Sequence, residues 1–371
     1  MSNMERVLSR RTEIEDFFGE LPLMSASLRV TKRCNIACGH CYANASRDIR
    51  PKNELTLQEL MSITDQLADL GTMEVFFTGG EPLARREDLI QTMQFAHQRG
   101  LRVLLSSNGV LVNESFLDRV RNIPFKLFQV SLDGPEPVHD SVRGANVYKR
   151  ATAARRAASL ALRANVTIGT VLMKPTADTL DQVMVIGHEL GADTFALMLL
   201  IPSGRADSAL QPTPLEQQKA LDRVFQKYRE LGGQLRFAVN TTLPPALVPA
   251  DLRAQGLHKR FALCSFPYTV GIEANGDVAP CDGFFNSPEF IAGNVRETPL
   301  REIWQRSAIL RETRQVEPED LKGVCANCIF KHYCAGGCRA AAYLASARLD
   351  MPDPVCQRFY EAGLFPSDCL Q

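Results

Sequence analysis

The sequence lacks the features that would indicate a nucleic-acid or membrane partner. Lys plus Arg number 42 and Asp plus Glu also number 42, so no field of one sign would attract nucleic acid or an acidic membrane surface. The longest apolar run, FALMLLI at 195–201, is far shorter than the roughly 20 residues that span a bilayer. The first 25 residues are too charged for a secretory signal. We therefore expect a cytoplasmic protein that binds neither nucleic acid nor a membrane.

Cysteine is absent from residues 42–263, although the chain contains 11 cysteines. Three of them lie between residues 34 and 41, and the other eight lie from residue 264 onward. Disulfides rarely persist in the cytosol, and an odd number of cysteines in two separate groups is typical of metal ligation. The distribution therefore predicts two regions with metal-binding thiols.

The first two thirds of the chain alternate between strand-like and helical segments. Strands are predicted from about residues 25, 73, 101, 127, 165 and 194, and each is followed by a helical pattern. Such alternation indicates a parallel sheet, either doubly wound or bent into a barrel. Glycine-rich and polar pieces follow the strands, at the end that carries the active site in β/α barrels.

The alternation stops near residue 240, in the proline-rich stretch NTTLPPALVPADL. Short strand–turn–strand signals and the later cysteines follow it. We predict a lead-in over residues 1–25, a first domain over 26–235 and a smaller, metal-stapled domain over 236–371.

Cys34, Cys38 and Cys41 have the spacing C-x3-C-x2-C at the end of the first predicted strand. Three kinds of site fit this spacing. A zinc ion could use His40 as its fourth ligand, a redox pair would need only C-x2-C, and a [4Fe–4S] cluster held by three thiolates would leave one iron open. The spacing alone leaves these alternatives open.

The segment TGGEP, from Thr78 to Pro82, ends the second predicted strand. Its glycines would let the backbone approach a ligand closely, and Glu81 could accept hydrogen bonds from an ammonium group. A simple turn at the strand end is the alternative. Together, C-x3-C-x2-C after strand one and GGEP after strand two resemble the radical S-adenosylmethionine (SAM) enzymes.

This resemblance implies an α/β fold, a partial (β/α)6 TIM-type barrel, whose cluster chelates SAM through its open iron. Reductive cleavage of SAM would then give a 5′-deoxyadenosyl radical. Arg143 would pair with the SAM carboxylate, or else be a solvated surface arginine. The resemblance places nine further residues around SAM: His40 near the adenine; Thr78, Gly79, Gly80 and Glu81 at the methionyl amino group; and Ser107, Asn108, Ser131 and Asp133 near the ribose and methionyl moieties.

The seven cysteines from Cys264 to Cys356 supply nearly enough thiols for two iron–sulfur clusters with four ligands each. A zinc ribbon is the alternative to such clusters. Their layout resembles the SPASM extension of radical SAM enzymes, which carries two auxiliary iron–sulfur clusters. The resemblance implies that the distal cluster uses Cys325, Cys328, Cys334 and Cys356, and the proximal cluster Cys264, Cys281 and Cys338.

The proximal ligand set has a gap. The related anaerobic sulfatase-maturating enzymes have a further cysteine shortly after the first SPASM position, and CSFPYTV at 264–270 offers none. We therefore predict one [4Fe–4S] auxiliary cluster and a second that is either [4Fe–4S] or [2Fe–2S]. Cys369 is a candidate for the missing ligand, but we expect it to be a loose tail thiol. Asp282 matches the aspartate that acts as base in the sulfatase-maturating branch, and a turn residue in the sequence CDG is the alternative.

The substrate is predicted from the family alone. Many SPASM enzymes oxidise or crosslink ribosomally made peptides, often with a fused leader-binding domain, for which the 25 residues before the barrel are too few. We expect a peptide substrate, a separate leader-peptide-binding protein and an external electron donor of the flavodoxin or ferredoxin type. The alternative is a small molecule such as a tetrapyrrole or sugar. LLIPSGRADS at 199–208 resembles a segment of tetrapyrrole-modifying members and of some peptide-modifying members, so it does not discriminate between the two; its Arg205 would receive a carboxylate or be a loop charge. A non-enzymatic iron–sulfur regulator is the remaining alternative.

Overall fold

The computed structural model describes residues 21–50, 52–162, 164–238, 241–260 and 266–371. The first part of the chain forms the predicted parallel sheet. Its strands are β1 (Ser25–Arg29), β2 (Glu74–Thr78), β3 (Arg102–Ser107), β4 (Leu127–Ser131), β5 (Val166–Leu172), β6 (Thr194–Leu199) and a short β7 (Arg236–Phe237). Each strand pairs in parallel with the next along the chain, which requires a crossover after every strand. The six predicted strands and the barrel-type α/β fold are confirmed. Most of the predicted lead-in, residues 1–20, lies outside the described residues.

Helices supply the crossovers: α1 (Leu57–Asp69), α2 (Arg86–Gln98), α3 (Glu114–Val120), α4 (Glu136–Arg143), α5 (Val147–Ala161), α6 (Leu180–Glu189) and α7 (Pro214–Glu230). The predicted capping box is present, because the Thr56 side chain accepts from the Glu59 backbone and the Glu59 side chain accepts from the Thr56 backbone. Helix α4 was not predicted, and it carries Arg143 at its last residue.

The C-terminal part adds three strands to the same sheet: β8 (Thr269–Ile272), β9 (Asp277–Ala279) and β10 (Gly293–Asn294). The full order is β10-β9-β8-β1-β2-β3-β4-β5-β6-β7. β8 pairs in parallel with β1, with Ser27 opposite Gly271, while β9 and β10 continue as antiparallel strands. The sheet therefore brings the second cysteine region directly beside the first strand.

Short helices complete the C-terminal part: α8 (Ala250–Ala254), α9 (Leu300–Arg306), α10 (Ala308–Arg314), α11 (Gly323–Ala326), α12 (Lys331–Cys334), α13 (Arg339–Ser346) and α14 (Pro354–Glu361). One apolar core joins the two parts, since Tyr268, Val270 and Trp304 are buried in the same cluster as the residues of β1 and β2. In the described part of the chain, no helix is both long enough and apolar enough to cross a membrane.

Candidate active site

A cavity of about 350 Å³ lies at the carboxyl ends of the parallel strands. Its wall combines the cysteine loop after β1, the ends of β2, β3 and β4, the segment Met198–Ile201 at the end of β6, and Asp282 with Gly283 from the C-terminal part. The carboxyl ends of parallel strands meet at one edge of the sheet, which is why polar strand ends from distant parts of the sequence converge here. The cavity brings together most of the residues predicted to bind SAM.

The three cysteines of the loop each face a hydrogen-bond donor. Cys34 Sγ lies 3.7 Å from the Asn108 amide nitrogen, Cys38 Sγ lies 4.0 Å from an Arg143 guanidinium nitrogen, and Cys41 Sγ accepts from the Ala45 backbone at 3.4 Å. Burial raises the pKa of the Cys34 thiol to about 12, so a bound metal would be needed to hold it as a thiolate. Donors aimed at sulfur are the surroundings that an iron–sulfur cluster uses, and this donor set fits one.

In the described residues, no three His, Cys, Asp or Glu side chains surround one point as the ligands of a single metal ion would. A cube binds one thiolate per iron and therefore needs no such convergence.

Arg205 braces the cysteine loop from the far side of the barrel. Its side chain donates to the Cys38 carbonyl at 3.0 Å and to the Ala45 carbonyl at 2.6 Å, and its backbone N–H donates to the Cys41 carbonyl at 3.0 Å. The preceding Gly204 has φ +62°, and a Cβ there would lie 2.7 Å from the Cys41 carbonyl oxygen. All three guanidinium nitrogens thus contact the loop, the third by donating to Asn44 Oδ1 at 3.2 Å, and Arg205 is not among the residues that line the cavity, where a carboxylate substrate would bind.

The glycines of TGGEP pack closely against the backbone of residues 31–33 and also line the cavity. A Cβ on Gly79 would lie 2.6 Å from the Thr31 carbonyl oxygen, and a Cβ on Gly80 would lie 2.7 Å from the Lys32 carbonyl oxygen. The close approach allows backbone hydrogen bonds from Gly80 to Thr31 at 2.7 Å and from Glu81 to Arg33 at 2.8 Å. Both glycines line the cavity with Thr78, but the packing that excludes a side chain is against the segment between β1 and the cysteine loop.

Glu81 is 1% exposed, and its carboxylate collects donors from the end of β3. One oxygen accepts from Ser107 Oγ at 2.8 Å and from the Leu83 backbone at 3.2 Å, and the other accepts from the Asn108 backbone at 2.8 Å. Burial raises the pKa of Glu81 to about 7, although these hydrogen bonds act against it. The predicted group of Glu81, Ser107 and Asn108 is therefore one hydrogen-bonded unit on the cavity wall, with Ser131 also in the lining.

Arg143 is 8% exposed and lines the cavity, so the alternative of a solvated surface arginine is wrong. Its Nε donates to Asp133 Oδ2 at 2.5 Å, and the same oxygen lies 3.4 Å from His40 Nε2. Asp133 is 0% exposed and is not part of the cavity lining, and its backbone N–H donates to His139 Nδ1 at 3.1 Å. Asp133 thus lies behind two cavity-lining residues and orients both of them. Burial lowers the pKa of His40 to about 4, which keeps its ring neutral near pH 7.

Asp282 faces the same cavity from the opposite wall. Ser27 Oγ donates to Asp282 Oδ1, and the Tyr42 hydroxyl lies 3.5 Å from Oδ2. A Cβ on Gly271 would lie 3.0 Å from Asp282 Oδ1, so the glycine opposite Ser27 in the β1–β8 pair leaves room for the carboxylate. Burial raises the pKa of Asp282, and the Arg29 charge acts in the opposite direction.

The surroundings of Asp282 were not predicted. Arg29 packs over the rings of Tyr42 and Phe285, with its guanidinium carbon 5.4 and 4.5 Å from their centroids, and donates to Glu273 at 3.0 Å. Asn286 donates to the Tyr42 carbonyl at 2.8 Å. The tyrosine directly after Cys41 was visible in the sequence, but nothing local linked it to a residue 240 positions away.

The predicted distal ligands come together in the C-terminal part. One pocket is lined by all four of them, Cys325, Cys328, Cys334 and Cys356. The remaining wall is apolar for the most part, with Val324, Phe330 and Phe365. Four thiols at one enclosed apolar pocket fit the donor set of an iron–sulfur cluster.

Cys281 and Cys338, two of the predicted proximal ligands, pack against a separate apolar cluster that contains Phe284 and Ala340. The third, Cys264, lies outside the described residues. The expectation that Cys369 is a loose tail thiol is wrong, because Cys369 is 0% exposed and belongs to the core that holds Cys325, Cys328 and Cys356. Its backbone carbonyl accepts from Ile329 at 3.0 Å, so the tail is fixed beside the distal ligands rather than the proximal ones.

Comparison with known proteins gives two family matches and full-length relatives. Residues 28–184 match the radical SAM superfamily, and residues 264–329 match the SPASM iron–sulfur cluster-binding domain. An AdoMet-dependent heme synthase of Methanosarcina barkeri is 30% identical, covering 88% of this chain and 94% of the relative. The mycofactocin maturase MftC of Mycolicibacterium smegmatis is 31% identical, covering 88% and 81%.

A crystal structure of Streptococcus suis SuiB bound to its precursor peptide SuiA has the same fold. Its TM-score is 0.73 at 17% identity, over 96% of this chain and 82% of SuiB. The cluster-binding motifs, the strand-end cavity and the full-length relatives agree, and the chain belongs to the radical SAM superfamily as an enzyme with a SPASM domain.

Proposed function

We propose that this radical SAM enzyme oxidises or crosslinks a side chain of a ribosomally made peptide or protein. With SAM and its cluster bound, the site supplies a 5′-deoxyadenosyl radical that abstracts a hydrogen atom. Cys34, Cys38 and Cys41 would hold the cluster. Glu81 and Thr78 would receive the methionyl ammonium group, and Arg143, oriented by Asp133, the carboxylate.

The observation that carries the proposal is that Asp282 and the cysteine loop share one cavity. A substrate C–H bond that loses a hydrogen atom must also lose a proton and an electron to reach a two-electron oxidised product. Asp282 would accept the proton, held by Ser27 and Tyr42 with one carboxylate oxygen at each. Auxiliary clusters supply an electron sink, and the neighbouring Cys281 is one of the predicted ligands.

We assign the auxiliary ligands as the sequence predicts them. Cys325, Cys328, Cys334 and Cys356 would hold a [4Fe–4S] cluster, supported by their shared pocket. Cys264, Cys281 and Cys338 would hold the second, of [4Fe–4S] or [2Fe–2S] type. The division at residue 235 is likewise a proposal, with residues 236–371 as the domain that carries both clusters.

The charge of the cavity favours a peptide side chain over a polycarboxylate. Among the described residues, the lining contains the carboxylates Glu81 and Asp282, and its Lys or Arg side chains are limited to Arg143, which already pairs with Asp133. Phe76, Val171 and Met198–Ile201 give it an apolar wall. With Arg143 assigned to the SAM carboxylate, no Lys or Arg side chain of the described lining is left to pair with a substrate that has several carboxylates, whereas a neutral or apolar side chain needs no such partner.

Oxidation of a tetrapyrrole is the second candidate. It is supported by the heme synthase relative, of which the alignment covers 94%. The two candidates differ in what they need outside the barrel, because a peptide would be delivered by a separate leader-binding protein. Either reaction would use an external flavodoxin- or ferredoxin-type electron donor.

The test is a reaction of the anaerobically reconstituted enzyme with SAM, reductant and each substrate class. Short precursor peptides and carboxylated tetrapyrroles would be compared by mass spectrometry for loss of hydrogen, with 5′-deoxyadenosine measured in parallel. Substrate-dependent 5′-deoxyadenosine with an oxidised peptide supports the proposal. Oxidation of the tetrapyrrole alone would replace it by the second candidate.

A further inference from the structure

Asp353 lies between the two predicted sets of auxiliary ligands and is 5% exposed. It precedes α14, the helix that carries Cys356, and it lines the pocket of the four distal cysteines. Its side chain also contacts the start of a second helix, at Cys338, the N-cap residue of α13. Neither the cysteine spacing nor the proposed role of Asp282 as a base explains why a carboxylate is buried at this position.

The two carboxylate oxygens of Asp353 have different partners. Oδ1 accepts from the backbone N–H groups of Val355 at 2.9 Å and Cys356 at 3.3 Å. Oδ2 accepts from the backbone N–H of Cys338 at 3.2 Å. Capping α14 requires only one oxygen. The second oxygen therefore joins a distal ligand to a proximal ligand through one side chain.

The chain around Cys338 is shaped for this contact. Gly337 has φ +73°, and a Cβ there would lie 2.9 Å from the Asp353 carboxyl carbon, so a glycine is needed for both the conformation and the approach. Arg339 is also buried, but one of its guanidinium nitrogens donates to the carbonyls of Leu349 and Met351. Burial raises the pKa of Asp353, while the backbone donors and the Arg339 charge act in the opposite direction, and Arg339 leaves the two oxygens to the cysteine backbones.

We propose that Asp353 is a positioning residue shared by the two auxiliary clusters, whose single carboxylate fixes Cys338 and Cys356 and lowers the reduction potential of both. A negative charge in a low-dielectric pocket opposes the addition of an electron to any nearby centre. The inference rests on the proposed assignment of Cys338 and Cys356 to two different clusters. It predicts that one substitution, outside every cysteine motif, changes both clusters together.

The experiment is an EPR-monitored redox titration of the full-length protein, reconstituted anaerobically with iron and sulfide. Asp353→Asn keeps the Oδ1 cap, because asparagine caps helices as well as aspartate does, and removes the charge. We expect both auxiliary signals to become easier to reduce by about tenfold in equilibrium constant, about 59 mV for one electron, with the signal of the Cys34 cluster unchanged. Asp207→Asn is the control, since Asp207 caps an exposed turn through the Ala209 backbone.

Asp353→Ser also removes the charge and keeps the cap of α14, but serine is too short to reach Cys338, so this variant removes the bridge as well. We expect it to shift both potentials as asparagine does, and it provides the measurement if Asp353→Asn does not fold. Wild-type potentials in Asp353→Ser, or a shift in one auxiliary signal alone, would overturn the inference. Failure of the underlying assignment would be visible in the unmodified protein, as iron for fewer than two auxiliary clusters.

Discussion

Replacement of Gly80 by alanine should disable SAM cleavage without unfolding the barrel. The added Cβ would lie 2.6 Å from the Arg33 carbonyl carbon and 2.7 Å from the Lys32 carbonyl oxygen, whereas ordinary contacts begin near 3.4 Å. These atoms belong to the backbone that enters the cysteine loop, so a side chain cannot turn away to relieve the clash. The Arg33 carbonyl oxygen would lie nearer still, so the loop and the TGGEP segment must separate by more than about 0.8 Å, the difference between 3.4 and 2.6 Å for the carbonyl carbon.

Such a displacement moves the predicted cluster ligands relative to the predicted SAM ligands. A misplacement of about 1 Å can cost about 100-fold in rate, and we expect a loss of this size in 5′-deoxyadenosine formation. The hydrogen bond from Gly80 to Thr31, 2.7 Å long, would be strained in addition, at a cost of about 1 kcal/mol.

Gly39→Ala is the matched control, because Gly39 lies between Cys38 and His40 in the same loop and a Cβ there meets no atom within 4 Å. The assay measures 5′-deoxyadenosine by chromatography with dithionite as reductant, and bound iron by colorimetry. Equal SAM cleavage by the two variants, each with full iron, would refute the reasoning that the glycine pair holds the two motifs in register.

Three further predictions concern the base, the clusters and the buried glutamate. Asp282→Asn should lower product formation about 10²- to 10⁴-fold while 5′-deoxyadenosine formation continues, because the amide cannot accept the proton. Full product formation in a mass-spectrometric assay would show that Asp282 is not the base. Replacing Cys34, Cys38 and Cys41 by alanine should abolish SAM cleavage and leave most of the iron bound, since the C-terminal thiols are separate; a colourless protein would contradict the auxiliary clusters.

The pKa of Glu81, raised by burial to about 7 from 4.5, makes the SAM-free protein lose stability as pH rises from about 4.5 to about 7, because in this range the folded protein keeps a proton that the unfolded chain releases. The loss is at most about 3 kcal/mol and is complete just above pH 7, and Glu81→Gln should remove the corresponding fall of the thermal midpoint between about pH 5 and 7 in scanning fluorimetry. An identical pH profile in both proteins would exclude this role of Glu81.

Local patterns in the sequence were enough for the strands. Apolar runs bounded by glycine-rich ends predicted β1 to β6, because a strand that is covered on both faces is apolar along its whole length. Helix α4 was missed, since its eight residues include three charged residues and a proline and give no long apolar period. The cysteine ligand sets came from the family resemblance and stay predictions, because the spacings alone fit zinc as well as an iron–sulfur cluster.

Contacts between residues far apart in the chain could not be predicted from the sequence. Ser27 and Asp282 are 255 positions apart, and Ser27 alone is an ordinary polar residue in a strand. Arg205 was interpreted as a carboxylate receptor or a loop charge, and only the fold shows it bonded to the cysteine loop. The pattern also left no sign that Asp133 would be covered by Arg143 and His40, because burial depends on which strand ends are neighbours.

The parallel pairing of β8 with β1 connects stability to function in this fold. A partial barrel leaves the outer side of β1 as an unpaired edge, which proteins normally have to cover. Here β8 covers it over Ser25–Leu28, and the turn that follows β9 returns Asp282 to the face of Ser27. The buried Arg29–Glu273 ion pair at 3.0 Å joins the two strands at this edge, and Lys32 lies 3.4 Å from the same carboxylate oxygen. The strand that completes the sheet is therefore also the one that sets where the proposed base meets the cavity.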